Sequence, residues 1–335
     1  MVLYILGNGF SISLIQGLVQ ANHIESNLIR LDNLFAQGDA FSVDENSMYL
    51  SSEYCSALQS LGVSSRLTDS DAKEIINNLV TSFNVYSKWR NANISNPYHR
   101  TISSVYVQAY DELNIYLKRL FIYYNSLVSD EMLLDLIDNE RIPLLTQIKK
   151  SLNEYNNIKI ITYNYDVFLE RVLSLANIRY NLVGFTYDMR NHISIYKPHG
   201  SINYSCKTGR GHCLYDRLNI NIDNLYIDKK LRIQDSFSSL IAPFGNAMLN
   251  INGWTSYIRN QIQNIVVSPL TDKVIILGHS YGEIDRPEID NILIKIPKSA
   301  QICYIDPKPS QTLVYILKTI FDNVIIMGAL KEEVI

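Results

Sequence analysis

Six short apolar runs constrain the fold of this chain more than any other feature. They are Val2–Leu6 and residues 158–161, 194–196, 274–277, 302–305 and 324–327, and most are rich in Ile and Val. Each has the length and residue types of a strand. Because they run apolar without alternation, they suit strands buried on both faces of a parallel sheet. The stretches between them are helical or turn-rich, so the expected fold class is α/β. The expected architecture is a Rossmann-like parallel sheet with helices on both faces and a helical insertion.

The insertion shows in the spacing. From about Thr68 to Asn156 apolar residues recur at helical intervals, as in Ile75, Ile76, Leu79, Val80 and Phe83, and again in Leu113, Tyr116, Leu117, Leu120 and Phe121. Polar breaks at residues 91–97 and 138–140 divide the block into several helices, while residues 32–62 read as loops and short elements. The expected division is therefore residues 1–31 with 151–335 as the sheet domain, and 32–150 as a mainly helical insertion.

Three polar constellations follow predicted strands. The first is the turn Gly7, Asn8, Gly9, Phe10, Ser11 between the first strand and a helix over about 12–19. Two glycines there allow backbone N–H groups and the helix dipole to hold a phosphate, although the third glycine of a dinucleotide fingerprint is replaced by Ile12. A tight strand-to-helix turn would need glycine in any case. The second is Thr162, Asn164 and Asp166 at the end of the 158–161 strand, where open parallel sheets bind ligands. Helix capping would account for one of these residues, not three. The third is His199, held in a loop between Pro198 and Gly200.

In order and type these pieces resemble the sirtuin-like family: a Gly-x-Gly-x-Ser turn, a Thr-x-Asn-x-Asp strand end and a His-Gly loop. Further on, Leu240, Ile241 and Pro243, then Trp254, then Gly278, His279, Ser280 and Asp285 look like later elements of the bacterial sirtuin-like branch found in antiphage defence. The resemblance implies an NAD glycohydrolase with Asn164 and His199 as the catalytic pair. It places the pyrophosphate on Gly7, Asn8, Gly9, Phe10 and Ser11, the nicotinamide carboxamide on Asp166, and further nucleotide contacts on Thr162, Gly278, His279, Ser280 and Asp306. NAD would be the substrate, with no metal. The partners implied are further copies of the chain or a defence protein such as an ATPase, which would keep a toxic activity silent. A nucleotide-binding regulatory module without turnover is the alternative.

Two competing chemistries are weak. Gly278, Ser280 and Gly282 satisfy the nucleophile-elbow pattern of α/β-hydrolases, but that fold places its catalytic histidine after the serine, and no histidine follows Ser280 in this sequence. A deacylating sirtuin resembles a family with two Cys-x-x-Cys pairs beyond the His-Gly loop. Here only Cys206 and Cys213 stand there, too few for a structural zinc site. Composition excludes other classes. A net charge of -3 gives no electrostatic footprint for nucleic acid. No apolar run approaches the roughly 18 residues of a membrane helix. With four scattered cysteines, the chain reads as a cytoplasmic, globular protein. Its 23 tyrosines suggest surfaces for assembly.

Overall fold

The run Val2–Leu6 becomes a strand whose five side chains are all fully buried, as its uninterrupted apolar character requires. It belongs to a computed structural model that describes residues 1–38, 42–44, 47–48, 50, 54–92, 104–207, 220–231, 240–241, 253–279, 281–282 and 286–330. In chain order the described strands are β1 (Val2–Leu6), β2 (Ser42–Asp44), β3 (Ser47–Met48), β4 (Ile158–Thr162), β5 (Tyr180–Leu182), β6 (Ile193–Tyr196), β7 (Tyr204–Cys206), β8 (Leu225–Ile227), β9 (Lys273–Leu277), β10 (Gln301–Ile305) and β11 (Asn323–Met327). The chain forms two compact units. The first comprises Met1–Ile29, Ser126–Pro198 and Tyr257–Ile335, and the second Arg30–Asn125 and His199–Ser256.

The first unit is built on a seven-stranded sheet of order β11-β10-β9-β1-β4-β6-β5. Every pairing in it is parallel. All six expected strands are present, and the sheet gains β5 at one edge. The α/β, Rossmann-like class is therefore observed. From β1 the chain first moves to β4 on one side and later returns to β9 on the other. That reversal beside β1 is a topological switch point, where open α/β sheets leave a crevice beyond the strand ends.

Register decides what meets there. Leu6 pairs with Thr162 on one side and Leu277 on the other, and Leu277 pairs with Ile305. The strands run parallel, so the residues that follow these positions leave the sheet along one edge. The helix after β1 spans Gly9–Gln20 and buries Phe10, Ser11, Leu14, Ile15 and Leu18. It begins inside the glycine turn, three residues earlier than its apolar spacing alone suggests. Elsewhere the ends follow local chemistry. The Ser129 hydroxyl accepts from Met132 N at the start of helix Asp130–Asp138, and Pro143 opens helix Pro143–Glu154.

The second unit contains helices Ser56–Ser60 and Asp69–Ala92, and all but the last residue of Val105–Ser126, with the antiparallel pairs β2–β3 and β7–β8. Among its described tyrosines, Tyr110, Tyr116, Tyr124 and Tyr204 belong to the core. Tyr110 stacks on Phe83 at 3.9 Å between ring centres. Tyr116 stacks on Phe35 and donates its hydroxyl to Leu34 O at 2.7 Å. A tyrosine such as Tyr116 fits a core because its aromatic body is buried while its polar tip meets a backbone carbonyl. Glu112 accepts from the N–H groups of Ala57 and Leu58, supplying acidic caps to a helix that lacks one of its own. The expected break at residues 91–97 lies largely outside the described residues.

Candidate functional site

Beyond the end of β4 the chain turns into helix Phe168–Leu175, and three polar side chains link up within the first unit. Asn164 Nδ2 donates to Ser11 Oγ at 2.9 Å, and Ser11 Oγ donates to Asp166 Oδ2 at 2.6 Å. All three are buried, Ser11 completely. Ser11 lies on the helix after β1 and is 155 positions from Asp166, so the parallel β1–β4 pairing is what brings them together. Thr162 fixes the start of the loop, its Oγ1 accepting from Asn164 N at 3.3 Å. Asp166 also accepts from Phe168 N at 3.1 Å through Oδ1, so it caps the helix as well as joining the cluster.

An aspartate this deeply buried needs compensation. Lys197, directly after β6, donates from Nζ to the backbone carbonyl of Asp166 at 2.5 Å and to Glu170 Oε1 at 2.8 Å. The ammonium is fully buried and its partner carboxylate nearly so. Burial pushes the Asp166 carboxyl above the ordinary carboxylate range. Lys197, Ser11 and the Phe168 amide pull it back, and Glu170 adds to the rise. Lys197 and Glu170 escaped the sequence reading, which singled out neither; a lysine ending an apolar strand was the available signal.

The glycine turn has a different logic from a phosphate cradle alone. A Cβ on Gly7 would lie 2.4 Å from Gly278 O, and one on Gly9 would lie 2.4 Å from Gly278 Cα. Gly278 has φ +59, where its own Cβ would meet Gly9 Cα at 2.3 Å. The turns after β1 and β9 therefore touch backbone to backbone, which only glycine permits. Their amides close the contact: Gly7 N donates to Leu277 O at 3.0 Å and Gly9 N to Gly278 O at 3.1 Å. The donors expected for a pyrophosphate at Gly7 and Gly9 are thus engaged within the protein. Phe10 is buried, and exposed Asn8 stands at the helix N-terminus.

On the β9 side, His279 is buried with its ring edge-on to Tyr163 at 5.3 Å between ring centres. Its Nδ1 accepts from Tyr281 N at 3.2 Å, which places the proton of a neutral ring on Nε2. Tyr281 holds φ +48, rare for a residue with a side chain, and its hydroxyl donates to Asp290 Oδ1 at 2.5 Å. Asp306 follows β10, half-buried, and its Oδ1 accepts from Lys308 N at 2.7 Å. Burial raises its pKa. Ser280 and Asp285, with Pro243 and Cys213, lie outside the described residues.

His199 belongs to the second unit and is buried. Its carbonyl accepts from Ile241 N at 3.0 Å, so the His-Gly loop and the later Leu240–Ile241 stretch meet there. Gly200 has φ +85, which explains a glycine at that position. Among the described residues no group of three or more His, Cys, Asp or Glu could hold a metal ion. None of their helices is long and apolar enough to cross a membrane.

The structure is thus a Rossmann-like α/β protein with polar residues gathered beyond β1, β4 and β9. Residues 158–293 match the family model of the SIR2-like domain. That range includes Asn164, Asp166, Lys197, His199 and His279. It leaves out the glycine turn and Asp306. No curated protein matches the chain.

Proposed function

We propose that this protein is an NAD glycohydrolase that cleaves NAD to nicotinamide and ADP-ribose. The observation that supports it best is the Asn164–Ser11–Asp166 chain at the carboxyl ends of β1 and β4, beside the switch point. The SIR2-like match over residues 158–293 adds the NAD chemistry.

In this reading the pyrophosphate lies over the turn formed by Gly7, Asn8, Gly9, Phe10 and Ser11. The N-terminus of helix Gly9–Gln20 favours its charge there. Gly278, His279, Ser280 and Asp306 contact the rest of the nucleotide, and Thr162 shapes the loop. Cleavage breaks the bond between ribose C1′ and the pyridinium nitrogen. The electron pair stays on nitrogen, giving neutral nicotinamide and an oxocarbenium-like sugar. Asn164 positions water or a ribose hydroxyl through Oδ1, the amide atom that does not face Ser11. His199 takes the proton as water adds to C1′. Asp166 organises Ser11 and Asn164 and has a second lone pair on each oxygen for the nicotinamide carboxamide.

The setting proposed is bacterial antiphage defence by NAD depletion in the cytoplasm, with activity released through self-association or a partner such as an ATPase. The motif resemblance supports this setting. The test is to follow nicotinamide release from NAD by chromatography, for the wild type, Asn164→Ala and His199→Ala, with and without proteins encoded beside it. Release by the wild type that is lost in both variants supports the reading. Binding of NAD without turnover in any condition favours the regulatory module.

A further inference from the structure

The buried Lys197–Glu170 pair takes no part in the chemistry above. A buried ion pair is weak evidence for stability, because apolar side chains of similar volume often serve as well. Glu170 even leaves Oε2 buried without a hydrogen-bond partner, an arrangement that stability alone does not favour. Beyond the pair itself, Lys197 Nζ reaches the backbone carbonyl of Asp166 at 2.5 Å.

The hydrogen bonds from Asp166 outward are directional. An ionised carboxylate only accepts. Ser11 must then donate to Asp166 Oδ2, and its oxygen accepts from Asn164 Nδ2. That order turns Asn164 Oδ1 away from Ser11. A protonated Asp166 would reverse the chain: it donates to Ser11, Ser11 donates to Asn164 Oδ1, and the amide turns over to present Nδ2. The charged groups facing Asp166 are Lys197 after β6 and Glu170 on helix Phe168–Leu175, while Ser11 faces it from helix Gly9–Gln20. Of these two charges, Lys197 favours the ionised form, together with the hydrogen bonds from Ser11 and the Phe168 amide, against burial and Glu170.

We propose that Lys197, seated by Glu170, is a positioning residue whose charge keeps Asp166 an acceptor and so, through Ser11, turns Asn164 Oδ1 toward the substrate. The NAD-cleavage reading enters only through the identity of that substrate.

The test uses the full chain with 13C-labelled aspartate, the Asp166 carboxyl signal being assigned by its loss in Asp166→Asn. Its titration midpoint is measured for the wild type, Lys197→Met, Glu170→Gln and the apolar pair Lys197→Met/Glu170→Met. NAD cleavage is followed against pH in parallel. Losing the cation raises the midpoint by about one pH unit or more, a tenfold change in the ionised fraction on the acid side, and Glu170→Gln lowers it. The acid limb of kcat moves with the midpoint, with KM changed less than about threefold. The apolar pair keeps the site filled, so it carries the test if Lys197→Met fails to fold. Because the apolar pair lacks both charges, it is read against Glu170→Gln, which lacks only the carboxylate. The missing cation places its midpoint about one pH unit or more above that of Glu170→Gln. A folded apolar pair whose midpoint and pH profile equal those of Glu170→Gln overturns the proposal. If the midpoints move as expected while even the wild type releases no nicotinamide, the hold of Lys197 on Asp166 stands and the NAD-cleavage reading falls.

Discussion

Replacing Gly9 by alanine tests whether the glycine turn exists for close backbone approach. The added Cβ would sit 2.4 Å from Gly278 Cα and 3.2 Å from Gly278 O. Ordinary contact between carbons is about 3.5–4.0 Å, so the two turns must part by more than about 1 Å. Parting stretches the Gly9 N–H bond to Gly278 O and the Gly7 N–H bond to Leu277 O, now 3.1 and 3.0 Å. Each contributes about 0.5–1.5 kcal/mol net, and overpacking adds about 1–3 kcal/mol, so Gly9→Ala costs about 2–6 kcal/mol. Gly17→Ala is the matched control. Its Cβ would meet Leu136 Cδ1 at an ordinary 3.5 Å, inside the same helix. Removing a helix-interior glycine stabilises by about 0.5–1 kcal/mol. Urea unfolding followed by far-ultraviolet circular dichroism reads both. A Gly9→Ala midpoint equal to or above that of the wild type would refute the reasoning. If the protein cleaves NAD, displacement of this turn by about 1 Å also lowers turnover by about a hundredfold.

Three further outcomes follow from the same geometry. Because burial raises the Asp166 pKa in the folded state, the native protein binds that proton more tightly than the unfolded chain. The stabilisation is complete below the ordinary aspartate pKa and is lost as pH rises through the raised value; Asp166→Asn removes this loss, and urea midpoints across acidic to neutral pH should decline less for the variant. Ser129→Ala removes the side-chain cap of helix Asp130–Asp138 and costs about 1 kcal/mol, measurable by the same unfolding assay. Tyr281→Phe leaves Asp290 without its 2.5 Å donor and frees a backbone held at positive φ. It costs about 1–3 kcal/mol, and an unchanged melting temperature would count against that clamp.

The sheet was legible because burial on both faces writes itself locally: Val2–Leu6, and residues 274–277 and 302–305, cannot be solvated and have the residue types of strands. β5 was not legible, since Tyr180–Leu182 is three residues with a central asparagine and pairs only at the sheet edge. The polar residues after β1, β4 and β9 could be proposed as a site because parallel strands end at one edge, so their order in the sequence already implied a shared face.

Amino-acid sequence by itself thus determined the class of fold, the strands and the residues that leave their carboxyl ends, all properties of a few neighbouring side chains. Tertiary structure decided the partners. Gly7 and Gly9 are glycine because Gly278, far along the chain, comes within van der Waals reach of them. Ser11 orders Asn164 because β1 and β4 pair in one register, and Lys197 meets Glu170 because β6 joins β4 on its far side. Residues 199–256 cluster with 30–125 and not with the sheet, which no local pattern announces. Hydrophobic periodicity reports how a residue meets its local surroundings, whereas directional bonds and backbone contacts between distant segments exist only once register brings them within reach.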